Sequence, residues 1–173
     1  VTLARTELLT VYLESRERLR VGRLARKDRT ILFEYDPAFV ASGIEISPIR
    51  LPLKHGVFTP SEPMFEGLFG VFNDSLPDGW GRLLLDRAVA SHGIGLEQLS
   101  ALDRLAHVGG SGMGALTYEP DQSPGGSSGT ERLALDRLAE EAAAILEGDS
   151  ETVFEELLNL NGSSAGARPK IVA

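Results

Sequence analysis

Apolar and polar residues alternate from the start of the chain. Leu9, Val11 and Leu13 fall on one side of an extended segment and Thr10, Tyr12 and Glu14 on the other, the period-two pattern of a strand with one buried face. A polar turn at Ser15–Arg18 leads to a second strand, Leu19–Leu24. A charged turn at Arg26–Arg29 leads to a third, in which Ile31, Phe33 and Tyr35 share a face. Turns this short imply antiparallel pairing, because parallel neighbours need a long crossover. Pro37 opens a turn of helix through Ser42 that Gly43 stops. Ile44–Leu53 contains Pro48 and Pro52, which restrict it to an edge strand at most.

The period then changes. Phe65, Leu68, Phe69 and Phe72 recur at i, i+3, i+4 and i+7, one stripe of a helix that Asp74 and Pro77 break. Asp78 is placed to cap a second helix to about His92, with Trp80, Leu83, Leu84 and Ala88 inward. A third helix spans roughly Leu96–His107, followed by a flexible corner at Gly109–Gly114 and a short strand, Ala115–Tyr118. Asp121–Gly129 holds three glycines, three serines and a proline, the composition of a mobile linker. Beyond it, Leu135, Leu138, Ala139, Ala142, Ile145 and Leu146 mark one face of an amphipathic helix ended by Gly148. Ser150 caps another helix carrying Val153, Phe154, Leu157 and Leu158, which Asn161–Gly162 closes. Ser163–Ala173 reads as a small-residue loop entering a strand. The pattern predicts an α+β fold with an antiparallel β-rich start followed by helices. The expected units are a domain over residues 1–118, a linker over 119–130 and the start of a second unit over 131–173.

Composition narrows the chemistry. With no cysteine among 173 residues, disulfides are excluded, and the three histidines (His55, His92, His107) lack metal-ligand spacing. No apolar run approaches the roughly 18–20 residues of a membrane span and no signal segment opens the chain, so a cytoplasmic protein with no membrane partner is expected. The net charge of −8 argues against the whole chain binding nucleic acid. The charge is uneven, however. Residues 1–35 carry eight Arg/Lys against five Asp/Glu, and residues 131–160 carry nine Asp/Glu against two Arg. Two solvated faces of opposite sign account for this, as does a basic edge facing a partner or DNA held by a partner.

Two glycine clusters invite a nucleotide reading. Val108-Gly-Gly-Ser-Gly-Met-Gly114 lies between a helix and a strand, the reverse of the order in which a helix N-terminus meets a pyrophosphate, so a tight corner is expected there. Gly162-Ser-Ser-Ala-Gly-Ala-Arg-Pro-Lys170 differs. Its small residues let backbone N–H groups approach phosphates, and its lysine can neutralise their charge. It lacks the GK[ST] core of a Walker loop, and spacing alone leaves an ordinary hairpin loop open. Asp74 and Asp78 could be paired for acid–base work but flank a break between helices, where aspartate serves turns and caps.

The segment Phe69-Gly-Val-Phe-Asn-Asp-Ser-Leu-Pro-Asp-Gly-Trp-Gly-Arg-Leu-Leu-Leu-Asp-Arg87 resembles the N-terminal signature of the HipA family of serine/threonine kinases, the toxin halves of bacterial toxin–antitoxin pairs. Val21-Gly-Arg-Leu24, Phe33–Ser42, Leu51-Pro-Leu53 and Leu105–Leu116 match in order and spacing. Ser163–Lys170 resembles the family's phosphate loop. The resemblance implies a kinase-like N-lobe after the β-rich subdomain, ATP and Mg²⁺ as cofactors, and phosphorylation of protein serine or threonine, with an aminoacyl-tRNA synthetase as the suggested substrate class. It also implies a helix-turn-helix antitoxin as partner, with DNA met only through that antitoxin. By the same resemblance Ser163 is the autophosphorylated serine, and Ala165, Gly166, Ala167, Arg168, Pro169 and Lys170 wrap ATP. The catalytic and metal-binding aspartates are expected beyond Ala173, so phosphoryl transfer by these 173 residues alone is not expected. The alternative is a stand-alone binding module, as in split members of the family whose N-terminal subdomain acts as an antitoxin. Such a module would end near Tyr118 and have no need of Ser163–Lys170.

Overall fold

The first three strands form a meander. β1 (Leu8–Glu14), β2 (Arg18–Lys27) and β3 (Thr30–Tyr35) pair antiparallel in sequence order. The structure, a computed structural model, describes residues 5–28, 30–61, 64–77, 79–91, 99–112 and 114–123, together with Ala143, Ala144 and Glu147. Within them, α1 (Pro37–Ser42), β4 (Val57–Phe58), α2 (Gly70–Asn73), α3 (Gly79–Ser91), α4 (Ala101–Val108) and β5 (Leu116–Glu119) follow β3. The sheet order is β4-β3-β2-β1-β5, every pair antiparallel, so the last strand closes against the first. The α+β architecture with a β-rich start is as the pattern predicts.

One face of the sheet carries the core. Leu9, Leu24, Phe33 and Phe58 lie opposite one another across four strands, and Val11 lies between Gly22 and Tyr118. In β2, Leu19 and Val21 point inward at odd positions and Leu24 at an even one. A strand with period two cannot do both, and the ladder resolves the conflict with a bulge: Val11 pairs with Gly22 while Tyr12 pairs with Arg20, leaving Val21 as the extra residue. Val21 and Leu24 are both fully buried as a result. Gly22 is the only residue type that fits beside the bulge, because a Cβ there would meet the Glu34 carbonyl oxygen and the Phe33 ring.

Helix α1 begins as expected. Asp36 caps it by accepting from the Ala38 amide (2.9 Å), and Gly43 ends it in the left-handed region. Ile44–Leu53, limited by Pro48 and Pro52 to an edge strand at most, forms no strand. That segment is a loop fixed by the Tyr35 hydroxyl, which donates to the Leu51 carbonyl (2.8 Å), and the edge strand is β4 instead. Burial pushes the Tyr35 phenol up to about 12, with the Glu45 charge adding to it.

The single helix expected around Phe65–Phe72 is also not formed. Met64–Gly67 is a 3₁₀ turn in which Phe65 and Glu66 both adopt left-handed backbone angles, and α2 starts afresh at Gly70. The reversal at Phe65–Gly67 turns Phe65 outward (45% exposed), whereas Leu68, Phe69 and Phe72 keep their places in the core. In α3, Trp80 and Leu84 point inward as expected, but Leu85 rather than Leu83 is buried with them. Asp78, Leu96 and the side chain of Ala88 lie outside what is described. Helix α4 starts at Ala101, not near Leu96. Ser100 and Asp103 form a reciprocal capping box that defines its first turn.

These placements separate two phenylalanines that sequence spacing treats alike. Phe69→Ala should cost about 3–5 kcal/mol and Phe65→Ala about 0.5 kcal/mol or less, read by urea denaturation. Gly22→Ala should cost about 3 kcal/mol, because backbone rather than a flexible side chain occupies the space. A Gly22→Ala protein of unchanged stability would mean that the bulge is not present.

Candidate functional site

The signature run Phe69–Arg87 is a staple between the helices and the sheet. Phe72 packs on Phe33 with ring centroids 4.9 Å apart, and Phe69 meets Phe72 edge-on. The turn after α2 is closed by backbone bonds, Asp74 N–H to Gly70 O (2.9 Å) and Leu76 N–H to Asn73 O (2.9 Å). Asp74 thus occupies the C-cap of α2 through its backbone N–H, and its side chain is exposed. Ser75 is buried, and its Oγ accepts from the Tyr118 hydroxyl (2.7 Å) on β5. Burial holds the Tyr118 phenol far above its ordinary value, only partly offset by that hydrogen bond, so Tyr118 stays a neutral donor.

The Gly109–Gly114 corner is structural. Gly109 N–H donates to Leu105 O (2.9 Å), Ser111 N–H to Val108 O (2.8 Å) and Gly110 N–H to the Asp121 carboxylate (2.9 Å). With these three donors engaged, no cradle for phosphate oxygens forms at Gly109–Ser111. Gly109 has a positive φ, and a Cβ on it would strike the Asp121 carboxylate. Burial pushes the Asp121 carboxyl up, but hydrogen bonds from Ser123 and Gly110, with His107 nearby, hold it below its ordinary value. The first residues of the expected linker are therefore fastened. Gln122 N–H donates to Ala106 O (2.8 Å), and the Gln122 side chain donates to Thr6 Oγ1 (3.2 Å).

Two charged clusters escaped the sequence reading. Asp103, 3% exposed, accepts from the Thr6 amide (2.6 Å) and from the Ser100 amide (2.8 Å) and hydroxyl (2.6 Å), joining the N-terminal segment to the start of α4. The Ser-x-x-Asp spacing of a capping box was its available signal. Glu66 bridges Arg82 of α3 (3.0 Å) and the buried Arg104 of α4. Burial pushes the Glu66 carboxyl up, but the two guanidiniums bring it below its ordinary value. No local pattern announces partners that lie 16 and 38 residues away.

The outer face of the sheet is polar and ion-paired. Arg18 reaches both Glu14 and Glu119 (2.8 Å each) and lies over the Tyr12 ring at 3.9 Å, and Arg23 pairs with Glu34 (2.7 Å). Beside the last pair is a hollow of about 280 Å³ lined by Leu8, Ala25, Leu32 and Val57. Among the described residues there is no cluster of three or more metal-ligating side chains, and no helix is long and apolar enough to cross a membrane. Ser163 and Ala165–Lys170, the expected phosphate-loop residues, lie outside the described residues.

Residues 9–119 match the family model described as HipA N-terminal domain. The chain belongs to the HipA family. The matched span runs from the first core residue of β1 to the last residue of β5, the whole of the five-stranded sheet. No curated protein and no solved structure matches the chain. Within the HipA N-terminal domain, Phe69, Phe72, Ser75, Trp80 and Leu84 of the signature run are buried packing residues.

The buried His107 of α4 supplies a pH test. Burial lowers its imidazole below the ordinary value of 6.5, although Asp121 draws it back upward. In the unfolded chain the imidazole takes up a proton near 6.5, and in the folded domain only at lower pH. Stability is therefore complete above 6.5 and falls as pH drops below it, by less than about 1.4 kcal/mol per pH unit. Urea unfolding at pH 7.5 and 5.5 should show the decline, and His107→Gln should flatten it.

Proposed function

We propose that the chain is the N-terminal portion of a HipA-type serine/threonine protein kinase, the toxin of a toxin–antitoxin pair. The observation that carries the reading is the HipA N-terminal domain match over residues 9–119, followed in sequence by the small-residue loop Ser163–Lys170. The loop's donor set suits phosphate. Ser164, Ala165, Gly166 and Ala167 offer backbone N–H groups with little side-chain bulk, and Arg168 and Lys170 supply positive charge. It does not suit a metal ion, since residues 157–173 contain no carboxylate. In this reading Mg²⁺ is held by acidic residues outside that stretch, and with ATP it supplies the phosphoryl chemistry.

The role of the HipA N-terminal domain in this reading is to present a rigid sheet to a helix-turn-helix antitoxin, with DNA approached only through that partner. The protein substrate is proposed by family resemblance alone to be an aminoacyl-tRNA synthetase. Ser163 acts as a switch: a phosphate there adds about −1.5 to −2 charges beside the loop that must accept nucleotide phosphates, and the two repel.

The test uses the full-length protein with ATP and Mg²⁺. Mass spectrometry should find phosphate on Ser163. Ser163→Ala should bind ATP like the wild type, Ser163→Asp about tenfold or more weakly, and Lys170→Met weakly as well. Absence of ATP binding by the full-length wild type would overturn the kinase reading. Equal ATP affinity for all three forms at position 163, with no phosphate on Ser163, would reduce that serine to a turn residue.

A further inference from the structure

We propose that Met64–Gly67 is a strained strap, held shut across α3 and α4 by the charge of Glu66, that opens while the rest of the domain stays folded. The strain lies in the backbone. Phe65 (φ 55°, ψ 37°) and Glu66 (φ 54°, ψ 29°) are both left-handed, and Gly67 follows at φ 83°. Glycine enters this region freely, but other L-residues do so singly and at a cost, because Cβ crowds the following carbonyl oxygen. Two such residues in succession persist only where their surroundings over-determine them.

Apolar burial does not supply that hold. No residue of Met64–Gly67 is buried, and Met64 and Phe65 are 52% and 45% exposed. Leu68, the next residue, is anchored in the core, and its amide donates back to Phe65 O (3.0 Å). The remaining grip is ionic. One Glu66 oxygen accepts from Arg82 Nη1 of α3 (3.0 Å), and the other accepts from Arg104 Nη1 of α4.

The two guanidiniums respond differently to the loss of Glu66. Arg104 is 7% exposed, and Glu66 is its only anionic partner among the described residues. Its Nε has no hydrogen-bond partner, so removing Glu66 would leave a buried cation uncompensated. That keeps the strap shut. Arg82, in contrast, has a second acceptor one turn along α3. Asp86 Oδ2 lies 3.8 Å from its Nε, and Asp86 Oδ1 is without a hydrogen bond. Arg82 can therefore turn to Asp86 when Glu66 leaves. Backbone strain pushes the strap open and the Arg104 charge pulls it closed, a local balance that the apolar core does not enter.

Three amides separate the strap from its surroundings. The Leu68 amide reports on the strap itself. The Asp74 amide, bonded to Gly70 O, and the Gly109 amide, bonded to Leu105 O, report on α2 and α4. Hydrogen exchange of all three is followed by NMR on the 173-residue chain. Glu66→Gln keeps the side chain's shape and removes its charge. It should speed Leu68 exchange about tenfold or more and leave Asp74 and Gly109 unchanged. Phe65→Gly removes one strained residue and should slow Leu68 exchange about threefold or more. Raising NaCl from about 0.05 M to about 1 M should speed Leu68 exchange in the wild type but not in Glu66→Gln, because salt screens a partly exposed pair. Phe65→Gly and the wild-type salt series decide the matter even if Glu66→Gln does not fold. Leu68 exchange that is unchanged in Glu66→Gln, not slowed in Phe65→Gly, or insensitive to salt in the wild type would overturn the proposal. Equal acceleration of all three amides in Glu66→Gln would also overturn it, and would make Glu66 a general stabiliser of the domain.

Discussion

The fold turns on one residue that the ladder does not count. Leu19 and Val21 on one phase and Leu24 on the other must all reach the same core, and the bulge at Val21 makes this possible. A register slip of one residue would send Leu24 to solvent and leave Leu9 and Phe33 without the partner that joins them. The missing side chain at Gly22 completes the arrangement, because it lets the Phe33 ring lie against the bulged backbone. Everything that packs on this face, from Phe39 of α1 to Phe72 of α2 and Leu102 of α4, presumes that the bulge is in place.

Polar groups then fix how the helices sit on the sheet. Apolar packing has little directional preference, so α4 could slide along the core at small cost. Asp103 prevents this by accepting from both the N-terminal segment and its own helix start, and Tyr118 ties β5 to the turn after α2 through Ser75. Each of these groups is buried and satisfied, so losing one partner leaves the other unpaired in a dry environment, at a cost of about 1–3 kcal/mol. Glu66 acts similarly at the periphery, with one carboxylate serving guanidiniums from two helices.

Much of the sheet was legible because its signal is local. Leu9/Val11/Leu13 and Ile31/Phe33/Tyr35 alternate cleanly, and Asp36-Pro37 with Gly43 brackets α1. The misread segments share a cause. Phe65 has helical spacing from Leu68, Phe69 and Phe72, yet two left-handed residues reverse the chain between them, and periodicity does not register a reversal. The edge strand β4 at Val57–Phe58 left no signal, because two residues are too few to show a period. The Glu66–Arg104 pair and the Asp103–Thr6 contact are products of folding over long separations. The family was legible for a different reason: the run Asn73–Gly81 is a specific string of residue types, in which Ser75 and Trp80 are buried and Asp74 ends α2. The phosphate loop was read from residue types alone, and its geometry lies outside the described residues.

The position of β5 also has a bearing on synthesis. β1 emerges from the ribosome well before β5, the partner that covers its outer edge and ends at Glu119, about a hundred residues later. At roughly 5–20 residues per second, that interval lasts about 5–20 s. Until then the nascent meander shows an open strand edge to its surroundings, the kind of edge that recruits other chains. Glu14 and Arg18 at one end of β1 and Glu7 and Arg26 at the other place charges beside that edge while it waits. The ion pairs that decorate the finished sheet would thus also act as gatekeepers during translation.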